Sequence, residues 1–306
     1  MQKMKRKIQK KVAFVAPSGA IDEVVLNSAK DKFEKEGYEV VIYPTCYKKH
    51  GIFAGTDEER VQDIENAFSN QEVSAIICAR GGYGAIKILD KINPKIIKNN
   101  QKIFCGFSDI TALLALFHTL GVKKLYHSPM CKFITRIDSF SDFEYTTKKI
   151  KQKIIPNMDF ERINPKSAKG ILWGGNLATI VSLFGADKKT YMPKKDIILF
   201  LEDLNEPVYK IDKMMTQILR NKELARKIKA IVVGEFSGLK FKDFKYILNN
   251  CSEKLKVPVF YGYNISHNKN TECVPFGEKA SISEHGVISL WVLYFIQNSN
   301  FFYLYV

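Results

Sequence analysis

Short apolar runs alternate with amphipathic segments along the first 130 residues of the chain. The runs are rich in β-branched residues and end at Gly or Pro, which is typical of buried strands: "KVAFVAP", "YEVVIYP", "VSAIICAR" and "KIFCGF". Helical patterns lie between them, at 22–36, 57–69 and 83–98. Because continuously apolar strands separated by helices favour a parallel sheet covered on both faces, we expect an N-terminal α/β domain with a mostly parallel sheet flanked by helices.

A second α/β pattern begins near residue 170. It opens with "GILWGGNLATIVSLFG" and continues with strands and helices in this order: strand "DIILFLE", helix 207–221, strand "KAIVVGEF", helix 242–254, strand "PVFYGYN" and a closing strand pair around 278–292. They predict a smaller C-terminal α/β domain with a mixed sheet. A capping box at 141–144 indicates a helix near 141–153 in the more polar stretch between the two blocks. We therefore expect domains at 1–135 and 171–306, joined by a crossing segment at 136–170; the role of the aromatic stretch 291–306 cannot be read from its pattern.

Charge and cysteine usage exclude several classes of protein. The net charge is +15, but the lysines are scattered and no nucleic-acid-binding signature accompanies them. No apolar run is long enough for a membrane helix, and "VAFVA" is too short for a signal peptide, so we expect a cytoplasmic protein that binds neither nucleic acid nor membrane. The six cysteines form no C-x-x-C pair, which argues against a zinc site; we expect no metal and no cofactor.

The stretch "KIFCGFSDITALLALFHTLG" breaks its apolar run at Ser108. Serine is a favoured helix N-cap, and a helical pattern follows at once. A strand that turns straight into a helix at Gly-x-Ser would also present the hydroxyl at the carboxyl end of a parallel sheet, where open α/β folds bind ligands. Ser108 is therefore either a cap or a nucleophile.

A serine nucleophile needs a base and an orienting acid. Of the five histidines, His118 lies ten residues along the same helix, ~15 Å away, whereas His127 and His267 both follow strands and stay open as candidates. Glu202 ends the apolar run of "DIILFLEDLNEP", which favours it as the acid. Asp203 and Glu206 are better explained by the positive end of the helix predicted after Pro207.

The segment "ARGGYGA" is a second glycine-rich turn from strand to helix. It lacks the G-x-G-x-x-G spacing of a dinucleotide site. Gly81 and Gly82 could bring bare backbone amides close to a reacting carbonyl, whereas a simple tight turn would need only one glycine.

These stretches together resemble the LD-carboxypeptidase family of serine peptidases, the S66 type. The likeness spans almost the whole chain and follows the family order: "APSG", "FAGTDEER", "RGGYG", "GFSD", "LWGGNL", "LEDLNEP" and "PFG". Two positions depart from the family pattern. Ser266 stands where a glycine usually precedes the catalytic histidine, and Ser128-Pro129 stands where Gly-Pro tends to follow the preceding strand.

The resemblance implies a serine carboxypeptidase that releases terminal D-alanine from murein tetrapeptides during cell-wall recycling. It implies a triad of Ser108, Glu202 and His267, with the nucleophile in the first domain and its partners in the second. We expect the oxyanion to be held by backbone amides of Gly81, Gly82 and Asp109. We expect three side chains near the nucleophile to contact the substrate, although core packing explains the last of them equally well: Arg80, Tyr83 and Trp173.

The family resemblance also implies a homodimer. The alternatives are a microcin-immunity peptidase that cleaves an acyl-sulfamoyl nucleotide conjugate, and a non-catalytic binding module for anionic ligands. The binding module would explain the charge and the glycine turns, but it would not explain a serine, an acid and a histidine in family order.

Overall fold

The computed structural model of the chain describes residues 10–134, 153–185, 191–268 and 271–291. These residues form two sheets with helices packed against them. Within these ranges, no helix is both long and apolar enough to cross a membrane. The predicted helix near 141–153 falls outside the described residues except at Lys153, which begins a strand, and nearly all of the aromatic stretch 291–306 also lies outside them.

The first sheet has six strands, and five of them run parallel. In chain order the strands are β1 Lys10–Val15, β2 Tyr38–Ile42, β3 Val73–Cys78, β4 Ile103–Gly106, β5 Leu125–His127 and, from much later in the chain, β12 Val274–Phe276. Their order across the sheet is β12-β5-β4-β3-β1-β2, with β12 antiparallel to β5. The predicted parallel sheet is confirmed.

The second sheet has eight strands of mixed direction. They are β6 Lys153–Ile154, β7 Glu161–Ile163, β8 Ala168–Asn176, β9 Ile197–Asp203, β10 Ile228–Phe236, β11 Val259–Tyr261, β13 Lys279–Ile282 and β14 Ile288–Leu290. The order is β6-β14-β13-β8-β9-β10-β11-β7. Strands β8 to β11 are parallel, and antiparallel strands flank them on both sides, so the predicted mixed sheet is also confirmed.

The helices fill the crossovers between parallel strands, except for the short helix Cys131–Ile134, which follows β5. They span Glu23–Lys35, Asp57–Ser69, Pro94–Asn99, Thr111–Thr119, Cys131–Ile134, Leu177–Ser182, Val208–Arg220, Lys222–Ala225 and Phe241–Leu255. Short 3-10 turns lie at Pro44–Tyr47, Ala85–Ile88, Ser108–Ile110 and Leu183–Gly185. The helix at Asp57–Ser69 begins with a complete capping box between Thr56 and Glu59, which matches its predicted start.

The single helix predicted at 83–98 is wrong. The structure has a 3-10 turn at Ala85–Ile88 and a separate helix at Pro94–Asn99. A proline disfavours helical backbone at the residue before it, and Asn93 is extended, with a ψ of 109°. The side chain of Asn93 accepts a hydrogen bond from the amide of Lys95, which begins the second helix.

Candidate active site

The carboxyl ends of strands from both sheets meet at one place. Gly106 at the end of β4 is in register with His127 at the end of β5, and Asn176 at the end of β8 is in register with Glu202 on β9. The two sheets come into close contact at Gly175 of β8, because a Cβ there would lie only 2.6 Å from the hydroxyl oxygen of Thr111, in the helix after β4. Chemistry-bearing residues that are far apart in sequence are therefore brought to a common edge.

Ser108 occupies a sharp turn between β4 and the helix that follows. Its φ is +61°, in the left-handed region that few residues other than glycine adopt, and it begins the 3-10 turn Ser108–Ile110. Its hydroxyl makes no hydrogen bond to any residue that the structure describes, so the N-cap interpretation has no support in this geometry. The turn instead presents the hydroxyl at the sheet edge, as a strained strand-to-helix elbow does.

The glycine-rich turn at 80–84 packs directly against this elbow. A Cβ on Gly81 would lie 3.0 Å from the Cβ of Ser108 and 3.2 Å from its Oγ. The buried carboxylate of Asp109 accepts hydrogen bonds from the Ser18 hydroxyl at 2.6 Å and from the Ala85 amide at 2.8 Å. Burial raises the pKa of Asp109, while these hydrogen bonds favour its charged form. The side chain of Asp109 thus fastens the elbow to two neighbouring loops.

Arg60 also holds the loops around the glycine-rich turn in place, a role that the sequence pattern did not indicate. Its fully buried guanidinium donates to the Pro17 carbonyl oxygen at 2.6 Å and to the Gly84 carbonyl oxygen at 3.0 Å, and it also pairs with Asp57. A buried arginine needs such partners for its donors. The "TDEER" motif therefore supports the glycine-rich turn rather than contacting the cavity.

Glu202 and His267 form a buried acid–imidazole pair. Nδ1 of His267 lies 2.8 Å from Oε2 of Glu202, and the side chains are 8% and 0% exposed. Burial alone would raise the pKa of Glu202, but its interactions with His127 and His267 outweigh burial and lower that pKa to about 2. The carboxylate is therefore ionised at neutral pH. The ring of His267 packs against that of Phe107, with centroids 4.7 Å apart, which helps to hold its orientation.

Hydrogen bonds within the loop hold His267 in place. The Ser266 amide donates to the Thr271 hydroxyl at 2.9 Å, and the Ser266 hydroxyl accepts from the Asn268 amide at 3.0 Å. Ser266, which replaces the usual glycine, thus closes the turn around the histidine. The Ile265 carbonyl oxygen accepts from the amide of Glu235, which ties the loop to β10.

The structure assigns Asp203 and Glu206 to different roles. Asp203 was expected to stabilise the start of the helix after Pro207, and this expectation is wrong. Its carboxylate instead accepts hydrogen bonds from the Asn176 side chain and the Ala178 amide, both at 2.9 Å, at the start of the helix Leu177–Ser182. Burial and the neighbouring Glu202 charge raise the pKa of Asp203 to about 6. Glu206 lies 3.4 Å from Lys210 in the first turn of its helix, as expected of a helix-start residue.

A cavity of about 440 Å³ lies between the elbow and the histidine loop. Ser108, His267 and Arg80 line it, together with Gly81, Gly82, Tyr83, Asp109, Met130, Lys132, Phe133, Asn176 and Asp203. Trp173 is not among the lining residues. It is 1% exposed and packs against Phe276, so the expectation of a pocket floor gives way to core packing. Among the described residues, no cluster of His, Cys, Asp or Glu is arranged to hold a metal ion.

Gly81→Ala should lower kcat about 100-fold while leaving the fold intact. The added Cβ would lie 3.0 Å from the Cβ of Ser108 and would push it aside, and a misplacement of about 1 Å can cost a reaction about 100-fold. Gly185→Ala is the matched control, because a Cβ there would meet no atom within 4 Å and the φ is not left-handed. Both kcat values are measured by product release. Equal values for the two variants would show that the close contact between Gly81 and Ser108 is not needed for catalysis.

Comparison with known proteins agrees with the site. Residues 12–128 match the LD-carboxypeptidase N-terminal domain, and residues 169–282 match the LD-carboxypeptidase C-terminal domain. The murein tetrapeptide carboxypeptidase of Pseudomonas aeruginosa is 26% identical over 89% of this chain and 93% of that protein. The muramoyltetrapeptide carboxypeptidase structure from Oxalobacter formigenes is 29% identical, covers 92% of this chain and 98% of that one, and has a TM-score of 0.79.

A structure of MccF in complex with glutamyl sulfamoyl guanosine is also similar, with a TM-score of 0.83 over 94% of this chain and 97% of that one. At 18% identity, this likeness shows a common fold and no more. The two domain matches together cover more than half of the chain and include both sides of the candidate site. The chain belongs to the LD-carboxypeptidase family and is a serine-type carboxypeptidase.

Proposed function

We propose that this enzyme releases the terminal D-alanine of murein tetrapeptides, with Ser108 as nucleophile, His267 as base and Glu202 as orienting acid. One observation supports this most strongly. The fully buried carboxylate of Glu202 contacts a histidine that opens, with Ser108, onto a single cavity. The names of the relatives support the substrate class, since two of them are named for murein or muramoyl tetrapeptides.

The proposed reaction uses these three groups in turn. Nε2 of His267 takes the proton of Ser108 as its Oγ attacks the carbonyl carbon of the bond to D-alanine. Glu202 faces Nδ1, which keeps the proton there and steadies the imidazolium that forms. The imidazolium then protonates the leaving amine, free D-alanine departs, and water hydrolyses the ester on Ser108 with the same histidine as base.

The tetrahedral intermediate needs donors for its oxyanion. The amide of Asp109 follows the nucleophile, and the amides of Gly81 and Gly82 belong to the turn that packs on Ser108. Gly81 allows this approach because it has no Cβ, and Gly82 has a φ of +115°, which favours glycine. These amides are therefore the proposed oxyanion hole.

Arg80 is proposed to bind the terminal carboxylate of the substrate. Its Nη1 donates to the Ala20 carbonyl oxygen at 2.8 Å, and its Nε is buried without a partner in the part of the chain that the structure describes. Arg80 lines the cavity beside Gly81, so its guanidinium is available to bind the carboxylate of a peptide whose C-terminus lies there.

Arg80→Gln should raise KM for the tetrapeptide at least ~10-fold, because a charge-assisted hydrogen bond is lost. Wild type should prefer the free tetrapeptide over its C-terminally amidated form, and the variant should lose that preference. Lys132→Gln provides the comparison, since Lys132 also lines the cavity. A preference that survives in Arg80→Gln and disappears in Lys132→Gln would move the carboxylate site to Lys132.

The proposed function is tested with purified protein and defined peptides. D-Alanine, measured with D-amino acid oxidase, should appear from the tetrapeptide but not from the pentapeptide that ends in D-alanyl-D-alanine. Release from the pentapeptide alone would indicate D,D-cleavage and contradict the proposal. Cleavage of glutamyl sulfamoyl adenosine, without any from the tetrapeptide, would favour the microcin-type activity.

The setting of the reaction is part of the same proposal. Murein tetrapeptides are recycled in the cytoplasm, where we expect the enzyme to act. We also expect a homodimer, which sedimentation velocity would detect as twice the mass of the chain. Neither property is needed for the cleavage chemistry described above.

A further inference from the structure

His127 is a second histidine beside the Glu202 carboxylate, and it does not line the cavity. It is the last residue of β5 and is 1% exposed. Its ring is held between the rings of Phe107 and Phe200, with centroid distances of 5.6 and 5.5 Å. Its Nε2 lies 3.7 Å from Oε1 of Glu202. The carboxylate therefore has a histidine at each oxygen.

Both atoms of this second contact need a partner. Oε1 of Glu202 and Nε2 of His127 are each buried without a hydrogen bond to any described residue. A buried carboxylate that stays ionised needs donors for both of its oxygens, and His127 places a ring nitrogen 3.7 Å from Oε1 while His267 is engaged at Oε2. The separation of 3.7 Å exceeds a hydrogen bond, but catalytic contacts are often long before substrate binds and tighten afterwards.

We propose that His127 is a positioning residue, whose Nε2–H holds Oε1 of Glu202 so that Oε2 stays aimed at His267. This inference rests on the proposed function of the triad. In this role His127 is a hydrogen-bond donor, and it neither gives up nor takes a proton during the reaction. The other nearby acid, Asp203, is already engaged by Asn176 and Ala178, so it does not compete for this donor.

A purely space-filling role would make a different prediction. In an apolar cage made by two phenylalanines, phenylalanine would replace the ring of His127 better than glutamine would. A positioning role reverses that order, because the amide nitrogen of glutamine reaches about as far as Nε2 and can donate to Oε1. His127→Phe and His127→Gln therefore separate the two roles.

His127→Phe should lower kcat roughly 10- to 100-fold with KM little changed, because a misaimed acid impairs the chemical step and His127 does not line the cavity. His127→Gln should restore most of the lost kcat. His118→Gln is the matched control, since His118 lies on the far part of the helix Thr111–Thr119, and its kcat should stay near that of wild type. Thermal unfolding verifies that each variant is folded.

A double-mutant cycle tests whether His127 acts through Glu202. In a Glu202→Gln background, His127→Phe should change the residual kcat less than about twofold, because the group it positions has lost its charge. An equal fold-loss in both backgrounds, or a His127→Phe variant as active as His127→Gln, would overturn the proposal. The rate of Ser108 acylation by an alkyl fluorophosphonate is measured alongside. If the wild type releases no D-alanine, the proposed function fails, and the order of acylation rates still decides the role of His127.

Discussion

Ser108→Ala should reduce D-alanine release by ~10⁴-fold or more, because no other group at the elbow can form the acyl intermediate. The free energy of unfolding should change by less than about 0.5 kcal/mol. The Ser108 hydroxyl makes no hydrogen bond to a described residue, so its removal leaves no buried group without a partner. Activity assays and chemical denaturation of the same preparation measure both effects.

Ser108→Gly makes a useful companion, because the φ of +61° strains any side chain at this position. It should be as inactive as Ser108→Ala and at least as stable. Near-normal turnover in either variant would remove Ser108 from the mechanism. A stability loss of more than ~1 kcal/mol in Ser108→Ala would instead revive the interpretation of Ser108 as a helix cap.

Glu202→Gln should lower kcat by about 10³- to 10⁴-fold with the fold retained. The substitution keeps the shape of the side chain but removes the charge that stabilises the imidazolium, and the amide can donate to His267 and so select the wrong tautomer. The effect is large because the carboxylate is fully buried, where no water can take its place. Steady-state kinetics on the tetrapeptide provide the measurement.

Asp203→Asn is the informative comparison, since Asp203 is the neighbouring residue and is also buried. Its amide cannot accept from both the Asn176 side chain and the Ala178 amide as the carboxylate does. We therefore expect a loss of about 1–2 kcal/mol of stability and a much smaller loss of kcat. A crippled Asp203→Asn with a mild Glu202→Gln would show that the acid is misassigned.

Local pattern was enough to predict most of the elements. The parallel strands are short, apolar and bounded by Gly or Pro, and this signal does not depend on distant parts of the chain. The strand β12 escaped prediction because it has three residues, includes Pro275, and pairs with β5, nearly 150 positions earlier. Pro275 is tolerated because β12 lies at the edge of its sheet.

The candidate triad, His267 included, was predicted through motif order, whereas the residue pattern by itself left both His127 and His267 open as the base. Both histidines follow strands, and strand ends alone do not say which side of a carboxylate each one reaches. The fold places both at Glu202, but only His267 shares the cavity with Ser108. The roles of Arg60 and the Asp109 carboxylate were equally hidden, because they depend on loops that meet only in the folded chain.

The central claim is that Ser108, Glu202 and His267 act as one unit. The most direct test compares the D-alanine release of Ser108→Ala with that of a triple variant that adds Glu202→Gln and His267→Ala, using incubations long enough to quantify residual rates. Members of one triad are strongly non-additive, so the triple variant should be no more than a few-fold slower than Ser108→Ala alone. A triple variant slower by the product of three separate effects would contradict the account.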